Sequence, residues 1–330
     1  MGQPAAVTLQ TGQAAIVHTG GMIPDSADAV VPIEQTQGVG EMAQFPHEIE
    51  LLRPAAVGEY VLQVGEDVAQ GVVVLPVGRR LRPQEIGGLL ALGITEIEVM
   101  ARPRVALLAT GDEVIPPQQT PSPGQIRDIN SYTTAGQTRQ AGGEPVLWGI
   151  VGDDFEELRR AAAAALAAND MVVMSAGSSV SVRDMTVEVI NSLGEPGVLL
   201  HGVATRPGKP TIVGVVGGKP VLGLPGNPVS AMVQFVMFGV PAIHHLLGLK
   251  TGVGRGRVTA RLSQNIASES GREDYIPARL QETSAGIIAT PVFGKSNLIY
   301  TLVNADGLIK LPLNKAGLEA GELVEVHLFE

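Results

Sequence analysis

Between residues 104 and 250 the chain alternates short, wholly apolar runs with longer segments of helical period, which confines the possible folds to very few. Val105-Ala106-Leu107-Leu108-Ala109 reads as a strand buried on both faces. Residues 145–151, 171–174, 211–215 and 220–224 read as strands too. Helices are expected after Asp128-Ile129-Asn130, over 184–193, and over 153–168. In the last, Asp153 serves as N-cap and Glu156 completes a capping box. Strands separated by helices imply a mostly parallel sheet covered on both faces, a three-layer α/β/α domain. Ligands in such sheets sit beyond the carboxyl ends of the strands.

The last strand–helix junction is the most distinctive. Gly223-Leu224-Pro225-Gly226-Asn227-Pro228-Val229-Ser230-Ala231 follows a strand end and opens a long apolar segment, residues 229–247. Asn227 is a good N-cap, and Pro228 stands where a helix accepts proline. The expectation is a rigid elbow with free helix N–H groups facing outward, suited to an anion. Alone it is equally a well-punctuated junction.

Both flanks carry different signals. Ala14-Ala15-Ile16-Val17, Ala29-Val30-Val31 and residues 48–52 suggest strands, so residues 1–65 are expected to form a β-rich domain. Gly38-Val39-Gly40-Glu41-Met42-Ala43 nominally matches a dinucleotide loop but follows a polar run, and reads as a hairpin loop. Residues 66–103 form a short mixed segment, with a strand at 72–75, a helix over 82–92 and alternation through 93–99. Residues 251–330 begin at the glycine run Gly252-Val253-Gly254-Arg255-Gly256 and look all-β, a small antiparallel barrel or sandwich.

Composition closes off several functions. The chain has 330 residues, a net charge of −10 and 3% aromatic residues, which excludes a nucleic-acid-binding surface built on basic patches and stacking platforms. With no cysteine, disulfides, thiolate catalysis and thiolate metal sites are excluded. Residues 229–247 are apolar enough for a membrane but contain Pro241, His244 and His245, so a buried core helix is expected, with no membrane partner. No signal peptide is read at the N-terminus, and the cytoplasm is the expected compartment. The six histidines form no ligand pattern, and no catalytic triad is supported.

Chemistry-bearing residues gather at the expected strand ends: Thr110-Gly111-Asp112-Glu113, Gly152-Asp153-Asp154, residues 175–179 with Asp184, Arg206-Pro207-Gly208-Lys209-Pro210, and Pro225 to Ser230. Together they supply glycine turns, hydroxyls, one cation and several carboxylates. Carboxylates facing a phosphate site suggest Mg²⁺, which binds through one or two acids plus substrate oxygens.

These segments resemble the molybdopterin molybdenumtransferase family (MoeA type, gephyrin E-domain-like). Thr19-Gly20-Gly21-Met22-Ile23-Pro24 with Ala27-Asp28-Ala29-Val30-Val31 is similar to the family's "TGAPxPxGADAVV". Gly65-Glu66-Asp67, Ala109 to Glu113, Arg206 to Pro210 and Gly223 to Ala231 follow in family order. The resemblance covers essentially the whole chain. It implies a multidomain α/β plus β fold: 1–65 β-rich; 66–103 a remnant of an elongated helical dimer arm; 104–250 molybdopterin-binding; 251–330 a β-barrel. It further implies insertion of molybdate into the dithiolene of adenylylated molybdopterin with release of AMP, Mg²⁺ dependence and a homodimer. An adenylyltransferase or a molybdoenzyme acceptor is an implied partner.

By position, Asp67, Asp153 and Asp184 match family acids, with Asp153, Asp154 and Asp184 implied around the metal. Thr110, Gly111, Asp112, Glu113, Ser175, Gly177 and Ser179 are implied to line the pterin and phosphate pocket. Arg206, Pro207, Gly208, Lys209 and Pro210 add a cationic loop, and Pro225, Gly226, Asn227 and Pro228 a wall. Three departures stand out. The family's "SAMDGYA" motif has no match before Thr19; Ala176 and Ser181 replace glycines of "SGGVSVGxxD"; and Arg183 adds a cation beside Asp184. Molybdopterin adenylyl transfer, or a non-catalytic cofactor-binding scaffold, are the competing functions. The sequence does not distinguish molybdate from tungstate.

Overall fold

Four parallel strands form one side of a six-stranded sheet. The computed structural model describes residues 2–39, 48–175, 180–250 and 256–329, without the side chains of 180–183. It divides into two compact units, Met1–Pro76 and Val77–Glu330.

In the first unit, β1 (Thr36–Gly38) pairs antiparallel with β2 (Ile49–Leu51); the loop expected at 38–43 lies, from residue 40 on, outside the described residues. The strands expected at 14–17 and 29–31 are absent there, and so is the one at 72–75. Valine and isoleucine favour extended backbone, but a strand also needs a partner to complete its ladder.

The second unit opens with α1 (Pro83–Ala91), near its expected place, whereas 93–99 is irregular and exposed rather than a strand. There follow β3 (Arg104–Thr110), the short pair β4 (Val114–Ile115) and β5 (Ile126–Arg127), α2 (Asn130–Gln140), β6 (Glu144–Val151), α3 (Phe155–Ala168), β7 (Met171–Ser175) and α4 (Val180–Ser192). Next come β8 (Pro196–His201), β9 (Thr205–Arg206), β10 (Ile212–Val216), β11 (Lys219–Leu224) and α5 (Pro228–Gln234). A π-helical turn (Phe235–Gly239) joins α5 to α6 (Val240–Leu246).

The sheet order is β6-β3-β7-β11-β10-β8. β6, β3, β7 and β11 are parallel; β10 is antiparallel to both its neighbours. The reversal follows from Gly217-Gly218, a two-residue turn with φ of 56° and 81° that pairs Val216 with Lys219. That hairpin signal, and strand β8, were missed in reading the region as strand–helix repeats.

Period-two alternation supplies both faces. Ala106 and Leu108 of β3 pack with Leu158 and Ala162 of α3 and with Ile190 of α4. Val105 and Leu107 pack with Ala135 of α2 and with Phe235 and Ile243 of the long helix. The continuous run Pro228–Leu246 is long and apolar enough to cross a membrane by composition, yet Phe235 and Ile243 lie in the sheet core. α3 begins one residue later than expected. Asp154, not Asp153, is its cap, accepting from Glu157 N at 2.8 Å, so the Asp153–Glu156 capping box does not form.

The remaining elements are β12 (Arg257–Leu262), β13 (Ile266–Ala267), β14 (Glu273–Thr283), β15 (Gly286–Pro291), α7 (Tyr300–Val303), β16 (Gly307–Leu311), β17 (Gly317–Leu318) and β18 (Leu323–Leu328). β15, β12, β18, β16 and β14 follow one another, and β14 pairs back to β15, closing a small barrel. Its interior takes alternate residues: Ala260 and Leu262, Ile309 and Leu311, Val324 and Val326. β12 and β15 are parallel, so the barrel is not wholly antiparallel as expected.

Candidate functional site at the carboxyl edge of the sheet

Parallel strands deliver their carboxyl ends to one edge, here Val151, Thr110, Ser175 and Leu224 in sheet order. With strands about 4.8 Å apart, that edge spans roughly 14 Å from β6 to β11. Acids stand at one end of it and the elbow at the other.

At the acidic end, Gly111 has φ +135°, and a Cβ there would lie 2.5 Å from Glu113 Oε2, so the turn requires glycine. Asp112 Oδ1 accepts the Asp153 N–H at 3.1 Å, tying the loop after β3 to the loop after β6. Partial burial, then the neighbouring Asp112 and Glu113 carboxylates, push the Asp153 carboxyl above its ordinary value. Among the described residues no ion pair reaches these three acids. Nor do three or more His, Asp or Glu side chains group there to hold a metal unaided.

Thr110 and Ser175 are buried and bind strand carbonyls: Thr110 Oγ1 donates to Ser175 O, and Ser175 Oγ to Leu108 O, each at 3.4 Å. Gly177 and Ser179 lie outside the described residues. Asp154 is engaged as the cap of α3. Asp184 is exposed on the second turn of α4, and Asp67 belongs to the separate N-terminal unit. The structure therefore brings Asp112, Glu113 and Asp153 together, and does not gather Asp153, Asp154 and Asp184 as one described cluster.

The cationic loop reaches this edge for a reason different from the one expected. It precedes β10 rather than ending a strand, and the reversed direction of β10 places Ile212 opposite Gly223, near the end of β11. Arg206 lies 3.7 Å from the buried Asp274 carboxylate, and β9 pairs with β14 of the barrel. Gly208 has φ +106°; its carbonyl accepts from Thr211 Oγ1 at 2.7 Å. Lys209 is exposed.

The elbow is more occupied than its sequence suggests. Asn227 stands at the N-cap position with extended backbone, but its side chain makes no cap; Nδ2 donates instead to Ser296 Oγ at 2.9 Å. Val229 N donates to Ser296 O at 3.1 Å, so one helix amide expected to face outward is bound to the barrel domain. Asn130 Nδ2 holds the Gly226 carbonyl at 2.8 Å. Pro225 and Pro228 are buried behind this contact. Asn130, Gln234, Asp274 and Ser296 are the site-shaping residues that sequence reading missed. Asn130 adjoins an expected helix start; the others meet the site only through long-range packing.

Sequence families cover nearly all of the chain. Residues 1–93 match the MoeA N-terminal region (domain I and II), 106–245 a probable molybdopterin binding domain, and 259–329 the MoeA C-terminal region (domain IV). The molybdopterin molybdenumtransferase of Nostoc sp. is 35% identical over 97% of this chain and 73% of its own length. Molybdopterin molybdenumtransferase 1 of Mycobacterium tuberculosis is 34% identical over 96% of this chain and 74% of its own. The crystal structure of the molybdopterin biosynthesis MoeA protein from Pyrococcus horikoshii OT3 superposes with a TM-score of 0.82 at 30% identity, covering 99% of this chain and 78% of that one. With three consecutive family regions on a fold of matching architecture, this chain belongs to the MoeA family.

Proposed function

We propose that this chain is a molybdenum insertase: it binds adenylylated molybdopterin, inserts molybdate into the dithiolene and releases AMP. The observation that carries this reading is the division of one sheet edge into an acid-rich end and an end with Lys209 beside the proline elbow. An extended anionic nucleotide suits such an edge, with its phosphates toward Lys209 and the glycine turns. With no cysteine in the chain, molybdenum's sulfur ligands would come from the pterin substrate.

Mg²⁺ fits the donor set at the acidic end. Asp112 and Glu113 place like charge beside Asp153, whose carboxyl is raised first by partial burial and then by these neighbours, and a cation would offset that repulsion. Mg²⁺ commonly takes only one or two carboxylates and completes its shell with phosphate oxygens and water. Of the acids implied around the metal, Asp153 would supply a carboxylate at this end, whereas Asp154 is engaged as a cap and Asp184 stands apart on α4; when bound, the ion would neutralise charge developing on the anhydride. Lys209 would bind the phosphate, the 110–113 turn and Ser175 would orient the pterin, and Asp67 is proposed as a further catalytic acid. A homodimer is supported by the apolar side chains that residues 2–76 leave exposed. The cytoplasm is the proposed compartment, with an adenylyltransferase as supplier and a molybdoenzyme as acceptor.

The test is to mix the purified protein with adenylylated molybdopterin, Mg²⁺ and molybdate or tungstate, measuring AMP and metal-loaded cofactor. Oxyanion-dependent AMP release is expected. Tight pterin binding without turnover would overturn the insertase reading in favour of a scaffold, and ATP consumption without an oxyanion requirement would favour adenylyl transfer.

A further inference from the structure

Gln234 closes α5, seven residues along the helix that begins at the elbow, and it is wholly buried. Its Nε2 donates to Pro207 O at 2.7 Å and to Thr205 Oγ1 at 2.9 Å. Pro207 O can only accept, which fixes the amide with its NH₂ toward the loop. Gly208 closes over the same side chain, and a Cβ there would collide with Gln234 Cγ. On its other side, Gln234 Oε1 is buried with no partner among the described residues. The unpaired Oε1 adds nothing, and an apolar residue would leave the Pro207 carbonyl without this donor, so the N–H groups toward the loop are what distinguish glutamine here.

The backbone around Lys209 is held on every side. Gln234 holds the Pro207 carbonyl, Thr211 the Gly208 carbonyl, and Val203 N donates to Lys209 O at 2.8 Å. The Thr211 and Val203 bonds lie within the loop; the Gln234 bonds couple it to the elbow helix. The next turn of that helix is π-helical, which moves its carbonyls out of the ordinary ladder. Within α5, Gln137 Nε2 donates to Met232 O at 3.1 Å, tying the helix to α2 as well.

We propose that Gln234 is a positioning residue for the molybdenum-insertion site: it locks the 205–209 loop to the elbow helix and so sets where Lys209 meets the pterin nucleotide's phosphate. This rests on the reading that Lys209 binds that anion. Gln234→Met keeps length and removes both donors. In the full chain it should raise KM for adenylylated molybdopterin about tenfold while kcat stays within about twofold, since the lost interaction is uniform binding. Lys209→Ala should raise the same KM, and the double variant should add little, because the two changes remove one interaction. If Lys209→Ala raises KM while Gln234→Met does not, or if their effects multiply independently, the role of Gln234 falls and that of Lys209 stands. If Lys209→Ala leaves KM unchanged, the anion reading itself falls. Should Gln234→Met fail to fold, Thr205→Val removes one of the two acceptors. A smaller rise in the same KM supports the proposal, and an unchanged KM overturns it.

Discussion

The sheet domain and the N-terminal unit use the same residue types to opposite ends. In the sheet domain Leu108, Leu158, Met174 and Ile190 are almost wholly buried. Along residues 2–76, Val57, Leu62 and Val73 are all more than 75% exposed, and Pro24 is the one buried residue described there. Burial of apolar area is the main favourable term in folding, so a segment that buries almost none cannot hold itself by that means. Apolar composition alone does not make a core; it needs elements that face one another.

The largest test of this contrast truncates one leucine in each region. Leu158→Ala should destabilise by about 2–5 kcal/mol in urea denaturation, because it opens a cavity between α3 and the sheet. Leu62→Ala should change stability by less than about 0.5 kcal/mol. Equal losses would show that the N-terminal unit has a core after all. Next in size is activity. Asp153→Asn should reduce molybdate-dependent AMP release about 100-fold with the folding transition kept, the size expected when a preorganised charge is removed. Asp67→Asn should act through the molybdate KM, by about tenfold. A lost folding transition in Asp67→Asn would make that acid structural.

Two smaller effects separate adjacent acids. Asp154→Ala should cost about 1 kcal/mol by removing the cap of α3, whereas Asp153→Ala should not, as read from urea midpoints. The pH dependence of Asp153 has a definite sign. Its carboxyl is raised in the folded state, so its contribution to stability is greatest below the unfolded value and declines as pH rises through the folded one. Asp153→Asn should therefore melt slightly higher than the parent at pH 7 and the same at pH 3. Because the side chain is exposed, the gain should stay within about 0.5 kcal/mol. A destabilised Asn variant at pH 7 would remove the like-charge account of this cluster.

Much of the site was legible because its parts are local. Gly111 and Asp112 follow a buried apolar strand and Asp153 the edge strand beside it, and a parallel sheet puts such loops on one edge. Asp153 and Asp154 show the limit. Both are good caps by type, and only the starting residue of α3, one position later than expected, assigned the cap to Asp154. Asn227 shows another. Its place before Pro228 marks an N-cap, but the choice between capping and reaching Ser296 depends on a loop 69 residues away.

By itself the sequence determined the alternating strands and helices from β3 to α4, the barrel strands after 256 and the motif order of the family, all carried by local period and turn chemistry. Tertiary structure alone decided the rest. The reversal of β10 carried the Lys209 loop to the carboxyl edge of the sheet, Gln234 tied that loop to the elbow helix, and the barrel took a helix amide expected to face outward. The physical reason is that backbone preference acts within a few residues. Strand direction, a buried amide's partners and the occupancy of a helix end are settled only when distant segments compete for the same hydrogen bonds.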